Sequence, residues 1–199
     1  MGGVHRDFSE LLDNLGRDLC RQVPELCHID IGGVLFALSR SRAGGRHGVY
    51  ARIIPLRIAG GRRQFHRRRG RYRETWQMPE MRHEGRQIRY LIQVMVPRFF
   101  RLSRREKLAT LVHELYHISE ACDGDLRRFP GRNFAHGNSR IEFQRRVEAL
   151  LDTYLAGRPE HALLDALDLD EESWRAGRVR VTGLRVPLPR ARLIAREKL

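Results

Sequence analysis

Two histidines four residues apart, inside a segment patterned as a helix, constrain this chain most. Ser103 and Glu106 stand in the S-x-x-E spacing of a capping box, directly before an apolar run. In such a box each side chain satisfies an orphan N–H at the helix start. Leu108, Leu111, Leu115, Ile118 and Cys122 fall on one arc of the helix, with Val112 at its rim. His113 and His117 point roughly to the opposite side, and their spacing aims both imidazoles the same way, about one turn apart. Two such nitrogens can occupy two corners of a tetrahedral zinc site. Glu114 lies between them in sequence but around the helix in space. It is suited to take a proton from a water that zinc has acidified.

Random placement of this composition would produce H-E-x-x-H in roughly 3% of chains, so the motif gains its weight from the capped helix around it. A third ligand is needed. The metzincin spacing requires Gly at 120 and His at 123, where this chain has Glu120 and Asp123. The favoured third ligand is His136, in the segment NFAHGN, because imidazole is a preferred zinc donor. Glu142, Asp123 and Asp125 are the alternatives. Tyr116, Arg132 and Tyr154 are conceivable stabilisers of an oxyanion, a group that hydrolysis requires.

The rest of the sequence supplies a scaffold. Residues 7–22 place Phe8, Leu11, Leu12, Leu15 and Leu19 at helical spacing, and Pro24 closes the segment. Residues 28–39 read as a strand bent at a glycine pair. Residues 49–58 read as a strand interrupted by Pro55, which suggests an edge or a bulge. Residues 87–96 form the strongest strand pattern, stopped by Pro97, and are equally suited to an internal position or to a substrate-pairing edge. Residues 138–156 are patterned as a helix with Ile141, Val147, Leu150, Leu151 and Tyr154 among its apolar positions, and a short acidic helix follows near 159–168. The expected class is α+β: a minimal zincin-like domain whose small mixed sheet carries an N-terminal helix, the HExxH helix and a following helix. One domain spans 1–175, with its core at about 28–156, and 176–199 form a basic strand or tail.

Charge and cysteines restrict the setting. The 199 residues carry a net charge of +14, and of the 38 basic residues only Lys107 and Lys198 are lysine. A field of that sign attracts nucleic acid, anionic membrane or acidic protein. It is densest in GGRRQFHRRRGRYR, from Gly60 to Arg73, where arginine alternates with Phe65 and Tyr72 before Trp76, a mixture suited to single-stranded DNA or RNA. Ser41 to Gly48 form a second basic, glycine-containing loop. Cys20, Cys27 and Cys122 form no CxxC, which argues against a disulfide framework and a zinc ribbon. The N-terminus lacks a signal-peptide h-region and no apolar run approaches bilayer length. The expected location is the cytoplasm, without membrane attachment.

His113-Glu114-Leu115-Tyr116-His117-Ile118, then Asp123-Gly124-Asp125-Leu126-Arg127, then His136-Gly137, resemble the metallopeptidase domain found in phages and bacteria. They are similar, more distantly, to SprT-like zinc proteases. The resemblance covers about residues 85–155. It implies a zinc cofactor on three histidines, Glu114 as base, and a protein or peptide substrate. Two features depart from the SprT-like pattern: there is no cysteine ribbon, and Arg140 and Ile141 stand where an aromatic residue usually follows the histidine-glycine pair, with Phe143 coming late.

Overall fold

The computed structural model describes residues 4–40, 48–129, 136 and 139–199. In chain order the elements are β1 (Val4–Asp7), α1 (Phe8–Gln22), β2 (Val34–Arg40), β3 (Ala51–Pro55), β4 (Gln64–Arg69), β5 (Tyr72–Gln77), β6 (Met81–His83), β7 (Arg86–Ile88) and β8 (Tyr90–Val96). There follow α2 (Arg104–Tyr116), α3 (Arg140–Ala156), α4 (His161–Ala166), α5 (Glu171–Arg175), β9 (Val179–Thr182) and β10 (Arg192–Lys198). The fold is α+β, as expected. The basic loop expected at Ser41 to Gly48 lies almost wholly outside the described residues.

The central sheet has the order β2-β8-β3, with β2 parallel and β3 antiparallel to β8. All seven residues of β8 and the first five of β2 are buried, which is the pattern of strands covered on both faces. Of the two roles open to residues 87–96, β8 therefore takes the internal one, and the edge belongs to β3. Pro55 ends that edge strand, where the missing N–H costs no ladder bond. The glycine pair of residues 32–33 lies in a 3-10 turn, Ile31–Gly33, that precedes β2 and is capped by Asp30. Gln93 is buried in β8, but its oxygen accepts from the Arg52 guanidinium (2.7 and 2.9 Å) and its nitrogen donates to the Val186 carbonyl (2.6 Å).

Helices α1, α2 and α3 cover one face of this sheet. Phe8, Leu12, Leu15 and Leu19 from α1 pack with Phe36, Ile92 and Val94 of the sheet and with Leu108, Leu111 and Leu115 of α2. The other face carries a smaller cluster of Leu35, Ala37, Leu56, Ile88 and Leu91. The capping box expected at Ser103 and Glu106 is present in full. α2 is apolar or buried around most of its circumference, and even Lys107 is enclosed, its Nζ donating to the Leu167 and Leu169 carbonyls at 2.8 and 2.7 Å. α3 departs from its expected pattern at one position: Ile141 is 74% exposed, and Phe143 takes the core place instead.

Tyr154 is fully buried and donates to the Asp18 carboxylate (2.7 Å), which also accepts from Gln22 and Arg21. Burial would raise the Asp18 pKa, but the hydrogen bonds from Gln22, Tyr154 and Arg21 overcome it and hold the group below the usual carboxylate range. This pair ties α1 to α3. Tyr154→Phe should therefore cost about 1.5–3 kcal/mol, the range for a hydrogen bond to a charged group. Urea unfolding checks this; a loss under about 0.5 kcal/mol would mean that the hydroxyl is not an important partner of Asp18.

Candidate metal centre

α2 ends at Tyr116, and His117 serves as its C-cap with helical backbone angles, so the two histidines of the motif sit on its last turn. Their Nε2 atoms lie 3.1 Å apart. His136 returns from the following loop and brings its Nε2 to 3.4 Å from that of His113. All three ligating atoms lie within 4.8 Å of one another. Tetrahedral coordination at 2.0–2.1 Å separates neighbouring donors by about 3.3 Å. Two of the three sides match that value, so the donor set fits a zinc-like ion.

The imidazoles are not on a solvated face. His117 is only 5% exposed and His113 is half-buried, so the side of α2 that they occupy is covered rather than solvated. The cause is Phe143. Its ring lies 4.9 Å from that of His113, 5.0 Å from His117 in a stacked arrangement, and 4.8 Å from His136, centroid to centroid. The aromatic residue that comes late after the histidine-glycine pair thus lies one helical turn inside α3, in contact with all three histidines. The apolar periodicity of α3 is the signal that could have found it, since Phe143 keeps step with Val147, Leu150 and Tyr154, but Ile141 is the residue expected in the core.

Burial sets the charge states. It lowers the His117 pKa to about 3 and the His113 pKa to about 4, with neighbouring histidines adding to the effect, and it lowers His136 as well, with help from Arg140. Neutral imidazoles are the form that binds a metal. Glu114 is 7% exposed, and burial raises its pKa to about 7 against the opposing hydrogen bond from the Ile53 N–H. That donor comes from the edge strand. In the β3–β8 ladder Tyr50 accepts from Met95 and Leu56 donates to Arg89. Residues 50 and 56 therefore face β8, and the alternation turns Ile53 outward.

The other expected residues are placed elsewhere. Asp123 accepts from the Ser119 hydroxyl (2.7 Å) and Asp125 pairs with Arg128 (2.9 Å). Glu142 is exposed in the first turn of α3, which Ser139 caps. None of the three belongs to the histidine cluster. Tyr154 is engaged by Asp18, as described above, and cannot reach a substrate. Tyr116 is buried, with Arg127 stacked over its ring at 4.5 Å. Arg132 lies outside the described residues.

Residues 8–146 match the family described as "Putative phage metallopeptidase". The chain belongs to this family. The match extends from α1 through the first turns of α3, so it includes all three histidines, Glu114 and Phe143. No curated protein and no solved structure matches the chain. Membership carries metal-dependent peptidase activity on protein or peptide as the family's function. Among the described residues no helix is long and apolar enough to cross a membrane.

Truncating Phe143 should leave a cavity beneath the imidazoles. Phe143→Ala should destabilise the protein by about 3–5 kcal/mol, the range for a large buried ring. Chemical denaturation of the metal-free protein measures it, and a loss under about 1 kcal/mol would show that the ring does not support this region.

Proposed function

We propose that the protein is a zinc metallopeptidase in which His113, His117 and His136 hold the ion and Glu114 is the general base. The observation that carries this reading is the convergence of three Nε2 atoms at the helix turn that also bears the buried Glu114, in a sheet whose edge among the described strands is β3. Zinc, when bound, acidifies a water and polarises a carbonyl. Glu114 takes the proton of the attacking water and passes it to the leaving amine. The Ile53 N–H, from the edge strand, favours the charged form of that carboxylate.

The edge also supplies a way to hold the substrate. Ala51, Ile53 and Pro55 are the residues of β3 that face away from β8, and an extended peptide can add to such an edge by main-chain hydrogen bonds. The Ile53 N–H is engaged by Glu114, and Pro55 has none, so the Ile53 and Pro55 carbonyls act as acceptors for N–H groups of the substrate. A peptide lacking those N–H groups, through proline or N-methylation, is disfavoured there.

The decisive experiment loads the protein with one equivalent of zinc and follows cleavage of a quenched-fluorescence peptide library. Glu114→Gln should retain stoichiometric metal and lose activity by about 10²–10⁴-fold, the range for removal of a general acid–base. Retained turnover in that variant removes Glu114 from the mechanism. Zinc binding by His136→Ala with unchanged affinity, together with its loss in Glu142→Ala, would transfer the third ligand to Glu142.

A further inference from the structure

A second sheet stands apart from the catalytic region. β4 and β5 form an antiparallel hairpin, and β10, more than a hundred residues later, pairs with the other edge of β5. Neither core cluster draws a residue from these three strands. Every residue of β10 is exposed, and β4 is exposed at all positions but Phe65. Apolar packing does not explain why this sheet forms.

Its charge is distinctive. The strands carry Arg67, Arg68, Arg69, Arg73, Arg192, Arg196 and Lys198 against only Glu74 and Glu197, with Arg71 in the hairpin turn. Several arginines elsewhere are matched to carboxylates: Arg101 to Glu171, Arg104 to Asp165 and Asp168, Arg105 to Glu148 and Asp152, Arg127 to Glu120. On this sheet Arg69 and Arg196 share the single carboxylate of Glu74, at 3.9 and 3.7 Å. Arg67, Arg68, Arg71, Arg73, Arg192 and Lys198 form no ion pair among the described residues.

Strand register then sorts the side chains. Phe65 stands opposite Trp76, Arg67 opposite Glu74 and Arg69 opposite Tyr72, so these six share one face. Across β5, Arg196 stands opposite Glu74 and Lys198 opposite Tyr72. Glu74 is buried at the centre, accepting from the Trp76 indole (3.2 Å). The Arg67 guanidinium lies 5.0 Å from the Phe65 ring centroid and 6.0 Å from that of Trp76, and the Arg196 guanidinium lies 4.1 Å from that of Tyr72. The face is thus a pre-ordered layer of planar cations on planar rings.

We infer that the Phe65–Tyr72–Trp76 face of the β4–β5–β10 sheet binds single-stranded nucleic acid. Phosphates are neutralised by Arg67, Arg69, Arg196 and Lys198, the cations of that face, and bases stack on their planar groups and on the partly exposed rings. Flat π surfaces interleaved with cations match a chain of anionic charges carrying flat bases better than they match an acidic peptide, which has no bases to stack. The site is remote in composition from the histidine cluster and uses none of its residues.

The test uses the full chain and a fluorescein-labelled 20-nucleotide oligo-dT, followed by anisotropy. Binding should be saturable at 50 mM salt and weaken roughly 50-fold by 200 mM if about four phosphates are neutralised. Arg67→Ala/Arg69→Ala/Lys198→Ala, all on the proposed face, should weaken it at least tenfold. Arg17→Ala/Arg21→Ala/Arg175→Ala, which removes the same charge from α1 and α5, should leave it within about twofold. In a Trp174→Phe background, the remaining Trp76 emission should be quenched on binding. No binding at 50 mM salt, or equal losses in the two triple variants, overturns the proposal. So does tighter binding to polyglutamate or to phosphatidylserine vesicles than to oligo-dT. Peptidase turnover plays no part in these readouts, so a failed hydrolase mechanism and a failed nucleic-acid site are told apart.

Discussion

A helix buried on nearly every side is the constraint from which the rest of this structure follows. α2 is enclosed by the sheet, α1 and α3, so its last turn carries two imidazoles and a carboxylate into surroundings that disfavour charge. Burying ionisable groups without partners is costly. The histidines meet that cost by staying neutral with their Nε2 atoms turned toward one another, and Glu114 meets it by accepting an N–H from the edge strand. Three converging imidazole nitrogens are the donor set that a metal ion takes, which is why the proposed function places one there.

Phe143 shows how that geometry is held. One ring in contact with three imidazoles couples α3 to the end of α2 and to the returning residue 136. For the proposed metal site, such a neighbour restricts ring orientation as metal-ligating histidines require, here largely by steric and aromatic contact.

Much of this could be read directly from the residues. The capping box fixed the start of α2, the Phe8–Leu19 periodicity gave α1, and the H-E-x-x-H spacing singled out the residues that later converge. Three things were not legible. Phe143 keeps helical step with Val147, Leu150 and Tyr154 where Ile141 does not, but periodicity says only that a ring is buried, not that it packs against three histidines from outside its own helix. The choice of β3 over β8 as the edge depended on which strand recruits β2, a long-range pairing that leaves no local mark. The segment Gly60 to Arg73 stood out only for its charge and aromatics, and the sheet it joins takes its third strand from the far end of the chain, where the alternation in residues 192–198 is too weak to announce a partner.

The hydrogen bond from Ile53 to Glu114 has an effect on self-association. An unpaired sheet edge invites a second copy to zip onto it. Along the outward side of β3, however, Ile53 has already committed its N–H and Pro55 has none, leaving Ala51 as the one strand residue with a donor to offer. Two such edges laid side by side would oppose carbonyl to carbonyl over most of their length. The strand therefore repels its own twin while remaining open to a chain that arrives with donors of its own.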